Sequence, residues 1–207
     1  MNTAQTAHVA SQPYVLVLYD STHNTTKELT YLIAQGVQDA DFAVKIRRVP
    51  KVSSNTEQSE PVIPDEGDLY ATLDDLANCA ALALGSPTHF GNMSASLKYF
   101  LDNSVGVWLS GALQGKPACV FTSTGSMHGG NEATLLSMMI PLLHHGMVLV
   151  GLPYANAELS RTVRGGTPYG ASAVVGARHE LVMTADEKSL AIAQGKRLAD
   201  VAKRLLD

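Results

Sequence analysis

The 207-residue chain predicts an α/β fold: a doubly wound, parallel, five-stranded sheet in the order 2-1-3-4-5, with helices on both faces. Three observations carry this expectation. Five apolar stretches of strand length alternate with segments of helical periodicity. Four of the five are nearly continuous in apolar residues, as strands covered on both faces must be, whereas the second alternates Val44, Lys45, Ile46, Arg47 and so belongs at an edge. An edge strand that comes second in sequence suits the order 2-1-3-4-5 better than the dinucleotide-binding order 3-2-1-4-5-6.

Residues 1–13 are polar and lack the basic-then-apolar order of an export signal, so they read as a disordered N-terminal tail, with a single domain over 14–207. The first strand is Tyr14 to Tyr19. The helix after it carries Leu29, Leu32, Ile33, Gly36 and Val37 on one stripe. The edge strand, Ala43 to Val49, leads into Ser53 to Asp68, a Ser/Glu/Pro-rich loop. Ala80 to Leu84 forms the third strand, and a helix near Met93 to Asp102 buries Leu97, Phe100 and Leu101. The fourth strand is Pro117 to Thr122. A helix from Asn131 to His145, kinked by Pro141, stops at Gly146, a natural left-handed C-terminal residue. Met147 to Leu152 makes the fifth strand, Pro153 to Met183 an excursion of loops. The last helix opens with the capping box Thr184-Ala185-Asp186-Glu187 and repeats Leu190, Leu198, Val201 and Leu205.

Composition narrows the function. At 45% hydrophobic and 16% charged residues the chain has material for a large core. A net charge of −4 supplies no field for binding nucleic acid by counterion release. Cys79 and Cys119 stand alone, without metal-ligand spacing, which fits a reducing cytoplasm and no metal site. The longest uncharged run, Ala133 to Ala157, is broken by Pro141, Gly146 and Pro153, so no integral membrane segment is expected.

In such a sheet a ligand lies outside the C-terminal strand ends, at the switch between the first and third strands. Three loops converge there. Ser21, Thr22, His23, Asn24, Thr25 and Thr26 run from the first strand into the first helix, where hydroxyls and free helix N–H groups suit a phosphate. The same residue types are equally expected at a plain helix N-cap. Gly85 to Ser94 includes Thr88, His89 and Phe90, followed by Gly91. Ser123, Thr124, Gly125, Ser126, Met127, His128 and Gly129 leave the fourth strand, mostly as small residues that let a flat ligand edge approach the main chain; either of these two loops alone reads first as an ordinary Gly/Ser turn, and it is the convergence of three that points to a ligand. No nucleoside-triphosphate loop and no G-x-G-x-x-G is present, which removes NTPases and Rossmann dehydrogenases.

These segments, taken with Trp108-Leu109-Ser110-Gly111, His144-His145-Gly146-Met147 and Gly165-Gly166-Thr167-Pro168-Tyr169-Gly170, make the chain resemble the WrbA-type NAD(P)H:quinone oxidoreductases, a flavodoxin-like family that binds FMN. The resemblance implies FMN as cofactor, NADH or NADPH as donor, a quinone as acceptor and a homotetramer with shared active sites. It places the FMN phosphate on Ser21 to Thr26, the ring and ribityl chain beside Thr88, His89 and Phe90, and the ring's polar edge on Ser123 to Gly129. His144 would reach the flavin and donate a hydrogen bond to the reduced quinone oxygen, while Trp108 and Phe90 would line the substrate pocket. Unaided, the residues suggest less: His144 and His145 as a helix C-terminal pair, Trp108 as core. An electron-carrying flavodoxin and an FMN-binding interaction protein are the alternatives. Three departures from the family pattern stand out: His89 where many members have Arg, Asn24-Thr25-Thr26 for a glycine-bearing stretch, and Asp20 beside the expected phosphate.

Overall fold

The computed structural model describes residues 12–52, 63–178, 180 and 182–206. The expected tail, apart from Gln12 and Pro13, and residues 53–62 of the expected loop lie outside that set. In chain order the elements are β1 (Tyr14–Tyr19), α1 (Thr25–Asp39), β2 (Ala43–Arg48), α2 (Leu73–Ala77), β3 (Ala81–Pro87), α3 (Ala95–Asp102) and α4 (Val105–Leu109). They continue with β4 (Pro117–Thr124), α5 (Asn131–His144), β5 (Val148–Leu149), α6 (Glu158–Arg161), β6 (Ser172–Val174) and α7 (Ala185–Leu206).

The strands pair in parallel in the order β2-β1-β3-β4-β5, as the apolar pattern predicts, and β6 adds a sixth strand on β4. Alternate residues feed two cores because successive side chains in a strand point to opposite faces. Val15, Val17, Ala83, Cys119 and Phe121 pack against α1 and α7. Leu16, Leu18, Leu82, Leu84 and Val120 pack against α3, α4 and α5. Gly85 in β3 makes room for Phe121, since a Cβ there would lie 2.1 Å from the ring. Edge strand β2 has no fully buried residue, and Asp75 of α2 holds its Arg47 at 3.1 Å.

Two expectations need correction. The fifth strand is two residues, not six, and reaches only Pro117 and Ala118 of β4. Its apolar continuation leaves the sheet after Val150, whose N still donates to Ala118 O at 2.7 Å, because Leu152 N donates to Pro168 O at 3.0 Å and a Cβ on Gly151 would meet that same oxygen. The excursion at 153–183 is not loop alone. It returns as β6 beside Thr122 to Thr124, so one edge position is filled by two separate pieces.

Capping explains the helix ends. Thr184 and Glu187 make the expected reciprocal box at the start of α7, with Glu187 fully buried and also accepting from Gly165 N and Val174 N. α5 runs through Pro141 to His144 and stops at Gly146, whose φ is 75°. Among the described residues no helix is long and apolar enough to cross a membrane.

Candidate active site

The C-terminal ends of β1, β3 and β4 bring three loops to a single cleft of about 250 Å³. Thr22, His23, Thr25 and Thr26 line it from the first loop, Pro87, Thr88 and His89 from the second, Ser123, Thr124 and Gly125 from the third, with Val175 closing one side. Val175 escaped the sequence reading, although the apolar run Ala171 to Val175 ahead of Gly176 was its signal.

Side-chain hydroxyls tie the loops together. Thr26 and Ser123 share a buried Oγ1···Oγ hydrogen bond of 2.9 Å, linking the first loop to the third. Thr122 Oγ1 donates to Ser86 O at 2.8 Å, so its proton is used and it accepts from Thr88 Oγ1 at 3.1 Å. Thr88 N donates to Ser123 O at 2.9 Å. The walls are therefore fixed before any ligand arrives.

At the head of α1, Asn24 takes a left-handed conformation, φ 66°, and its side chain caps nothing. Ser21 Oγ accepts from Lys27 N at a long 3.4 Å. The first N–H groups of the helix thus remain available to an anion, which the helix dipole also favours. Among the described residues no carboxylate lines the cleft. Asp20, the suspect neighbour, is buried on the far side of the loop, where it lines a second cavity with Lys27, Arg48 and Lys51 and lies 4.0 Å from Lys51. Ser21 and Asn24 face that second cavity rather than the cleft.

The second loop ends in a tight turn. His89 and Asn92 exchange backbone hydrogen bonds of 2.8 and 3.0 Å across Phe90 (φ 52°) and Gly91 (φ 74°), both left-handed. A left-handed phenylalanine is strained, and this ring is fully exposed at the turn's tip beside the cleft. In the third loop a Cβ on Gly129 would lie 2.2 Å from Thr124 Oγ1, so only glycine fits. Ser126, Met127 and His128 are exposed beyond the cleft. Free N–H groups, hydroxyls, no carboxylate, and a side-chain-poor third loop fit a phosphate-bearing planar cofactor such as FMN.

His144 and Trp108 are not at this cleft. α5 starts beside Gly91, where a Cβ on Gly130 would stand 3.0 Å from Gly91 Cα, and His144 lies fourteen residues on, about 21 Å along the axis. One chain therefore does not bring His144 to its own three loops. Trp108 is half exposed, not core, and its indole Nε1 donates to His144 O at 2.8 Å. Both line a separate, largely apolar cavity of about 370 Å³ with Leu101, Val105, Ile140 and Pro141. Burial, with His144 adding to it, holds His145 below the usual imidazole range.

The NADPH-dependent FMN reductase family model matches residues 13–160. An NAD(P)H dehydrogenase (quinone) of Geotalea daltonii is 40% identical over 205 residues, covering 93% of this chain and 98% of the relative. Another of that description, from Geobacter sulfurreducens, is 39% identical over 92% of this chain and 98% of its own length. Among solved structures, a WrbA-like flavodoxin from Agrobacterium tumefaciens superposes with a TM-score of 0.65 at 21% identity, covering 93% of this chain and 98% of that one. An archaeal flavodoxin gives 0.60 at 20% identity, with 92% and 99% covered. At those identities the two structures speak for the fold. The family match and the two dehydrogenases go further: the chain belongs to the NADPH-dependent FMN reductase family, among its WrbA-type NAD(P)H:quinone oxidoreductases.

Proposed function

We propose that this chain is an FMN-dependent enzyme that transfers two electrons, as hydride, from NAD(P)H to a quinone. The observation that carries the reading is the cleft on which all three strand-end loops converge, free of carboxylates among the described residues. FMN, when bound, would supply the hydride-transfer chemistry. The protein binds and orients. Thr22, Thr25 and Thr26 hold the phosphate with the free N–H groups of α1, and Thr26 is itself steadied by Ser123. Thr88 and His89 flank the ring, and the exposed Phe90 ring forms one wall of the slot into which nicotinamide and quinone enter in turn. Main-chain N–H groups from Ser123 to Gly129 meet the ring's polar edge and stabilise negative charge there.

His144 donates its hydrogen bond to the quinone oxygen from a neighbouring subunit, and Trp108 lines the quinone pocket from the same face. The observation favouring assembly is the exposed apolar group at that end of the molecule, Val105, Trp108, Leu109, Ile140 and Leu143. A homotetramer in the cytoplasm completes the proposal, consistent with two buried free thiols, Cys79 and Cys119, whose pKa values burial pushes up, in the case of Cys79 to about 12.

The test is an absorbance spectrum of FMN-loaded protein after desalting, then anaerobic NADH and a soluble quinone. Retained flavin bands that bleach with NADH and recover with quinone are expected. Failure to retain FMN, or retention without bleaching, overturns the assignment. Light scattering at micromolar concentration checks the assembly, which a monomer would refute.

A further inference from the structure

We propose that Ser104 and His145 form a positioning pair that locks Trp108 and the end of α5 together, and that His145 does so only while its ring is neutral. This rests on the reading that Trp108 lines the quinone pocket.

The hydrogen count fixes the arrangement. Ser104, the residue before α4, donates its only hydroxyl proton to Leu101 O at 2.6 Å. Its contact with His145 Nε2 at 3.0 Å must then run the other way, with the imidazole N–H donating to Ser104 Oγ. His145 Nδ1 is left as the unprotonated nitrogen, buried, with no hydrogen-bond partner among the described residues. One turn along α4, the Trp108 indole donates to His144 O at 2.8 Å. Two hydrogen bonds, one given by the His145 ring and one accepted by the His144 carbonyl, therefore clamp α4 to the C-terminus of α5. Without the Ser104 bond, α4 and its half-exposed indole keep a single polar tether to α5.

Protonation of His145 would put a second N–H at buried Nδ1, facing no acceptor. The charged and titratable groups around the cavity are Lys98 and Asp102 on α3, which pair with each other, and His144 beside it on α5; α4 contributes none. The clamped form therefore excludes the proton, in keeping with the lowered imidazole pKa. The sign follows: a depressed histidine pKa means that the loosened form binds more protons, so the clamp weakens as pH falls below the ordinary value of 6.5.

Trp108 is the only tryptophan, so its emission reports on this face alone. With the FMN-loaded protein, emission scanned from pH 8 to 5 should show one transition below pH 6.5. His145→Gln keeps a donor for Ser104 but cannot titrate; its emission should be flat with pH and its quinone KM within about twofold of wild type. Ser104→Ala, which removes the acceptor, should raise quinone KM about three- to tenfold at pH 7.5 while the rate of flavin reduction by NADH is unchanged. A transition that persists in His145→Gln belongs to another group and overturns the proposal, as does a Ser104→Ala variant with wild-type emission and KM. If Ser104→Ala fails to fold, the comparison of wild type with His145→Gln decides alone. Absence of all quinone turnover, with the emission transition intact and lost in His145→Gln, refutes the functional reading while leaving the clamp standing.

Discussion

Gly195→Ala tests the packing that presents the first loop. α1 and α7 cross with backbones in contact: a Cβ on Gly195 would lie 1.9 Å from Ile33 O, 2.8 Å from Ile33 C and 3.1 Å from Ile33 Cα. Across the same crossing, a Cβ on Gly36 would lie 1.9 Å from Ile192 O. Carbon and carbonyl oxygen rest no closer than about 3.3 Å, so one methyl must drive the helices about 1.4 Å apart. The obstacles are backbone atoms, which cannot swing aside. The separation loosens the layer holding Ile33, Leu198 and Ala199, all buried. Overpacking of this kind costs about 3 kcal/mol at the upper end, and the better helix propensity of alanine returns about 1 kcal/mol. The net loss, about 2 kcal/mol, lowers Tm by about 4–8 °C in a domain of this size. Because one displacement accommodates either methyl, Gly36→Ala combined with Gly195→Ala should lose less than the sum of the single losses. Urea melts of the apo-protein, read for midpoint at constant m value, give the answer. An unchanged or raised midpoint would show that the crossing is looser than these distances require.

Thr26→Val keeps the shape of a buried side chain but leaves Ser123 without its partner and the proposed phosphate without one donor, so FMN binding by fluorescence titration should weaken about tenfold. Phe90→Gly removes a fully exposed ring and relieves a left-handed residue; the apo-protein's melting point should not fall, whereas quinone KM should rise about fivefold. Asp75 is partly desolvated, which alone would raise its pKa, but the Thr72 backbone and hydroxyl and the Arg47 guanidinium outweigh that and hold it below 3.8. A depressed carboxyl pKa stabilises the fold above its unfolded value and loses that contribution as pH falls through the folded one, so Asp75→Asn should flatten the acid limb of the stability curve below about pH 4. A limb that stays as steep would assign acid sensitivity to other carboxylates.

Strands one, three and four were legible because burial on both faces imposes continuous apolar runs, and β2 because an edge imposes alternation. The split edge was not. Val150 and Leu152 are as apolar as any strand, and only the distant Pro168 carbonyl decides that the chain leaves the sheet between them. β6 is three residues long, too short for a period to show. α2 and α4, at five residues each, are hidden for the same reason, although Thr72-Leu73-Asp74-Asp75 carried a capping-box signal that the structure realises. The first and third loops were readable from their hydroxyls and glycines. What the sequence left out was direction: Asp20 turning to the far side of its loop, and His144 carried a helix length from the cleft.

Because β5 and β6 grip opposite halves of β4 and the chain from Gly151 to Gly170, between the Val150 and Ala171 bonds to that strand, makes no backbone hydrogen bond to it, the hydrogen-bonding register of the sheet does not depend on how long that intervening chain is. Its exposed crown at Tyr154 and Ala155 is therefore a natural splice point. Peptides, reporter domains or surface tethers inserted there would lengthen a detour already present, and lineages that diversify the outer surface of this enzyme have room to do so at the same seam.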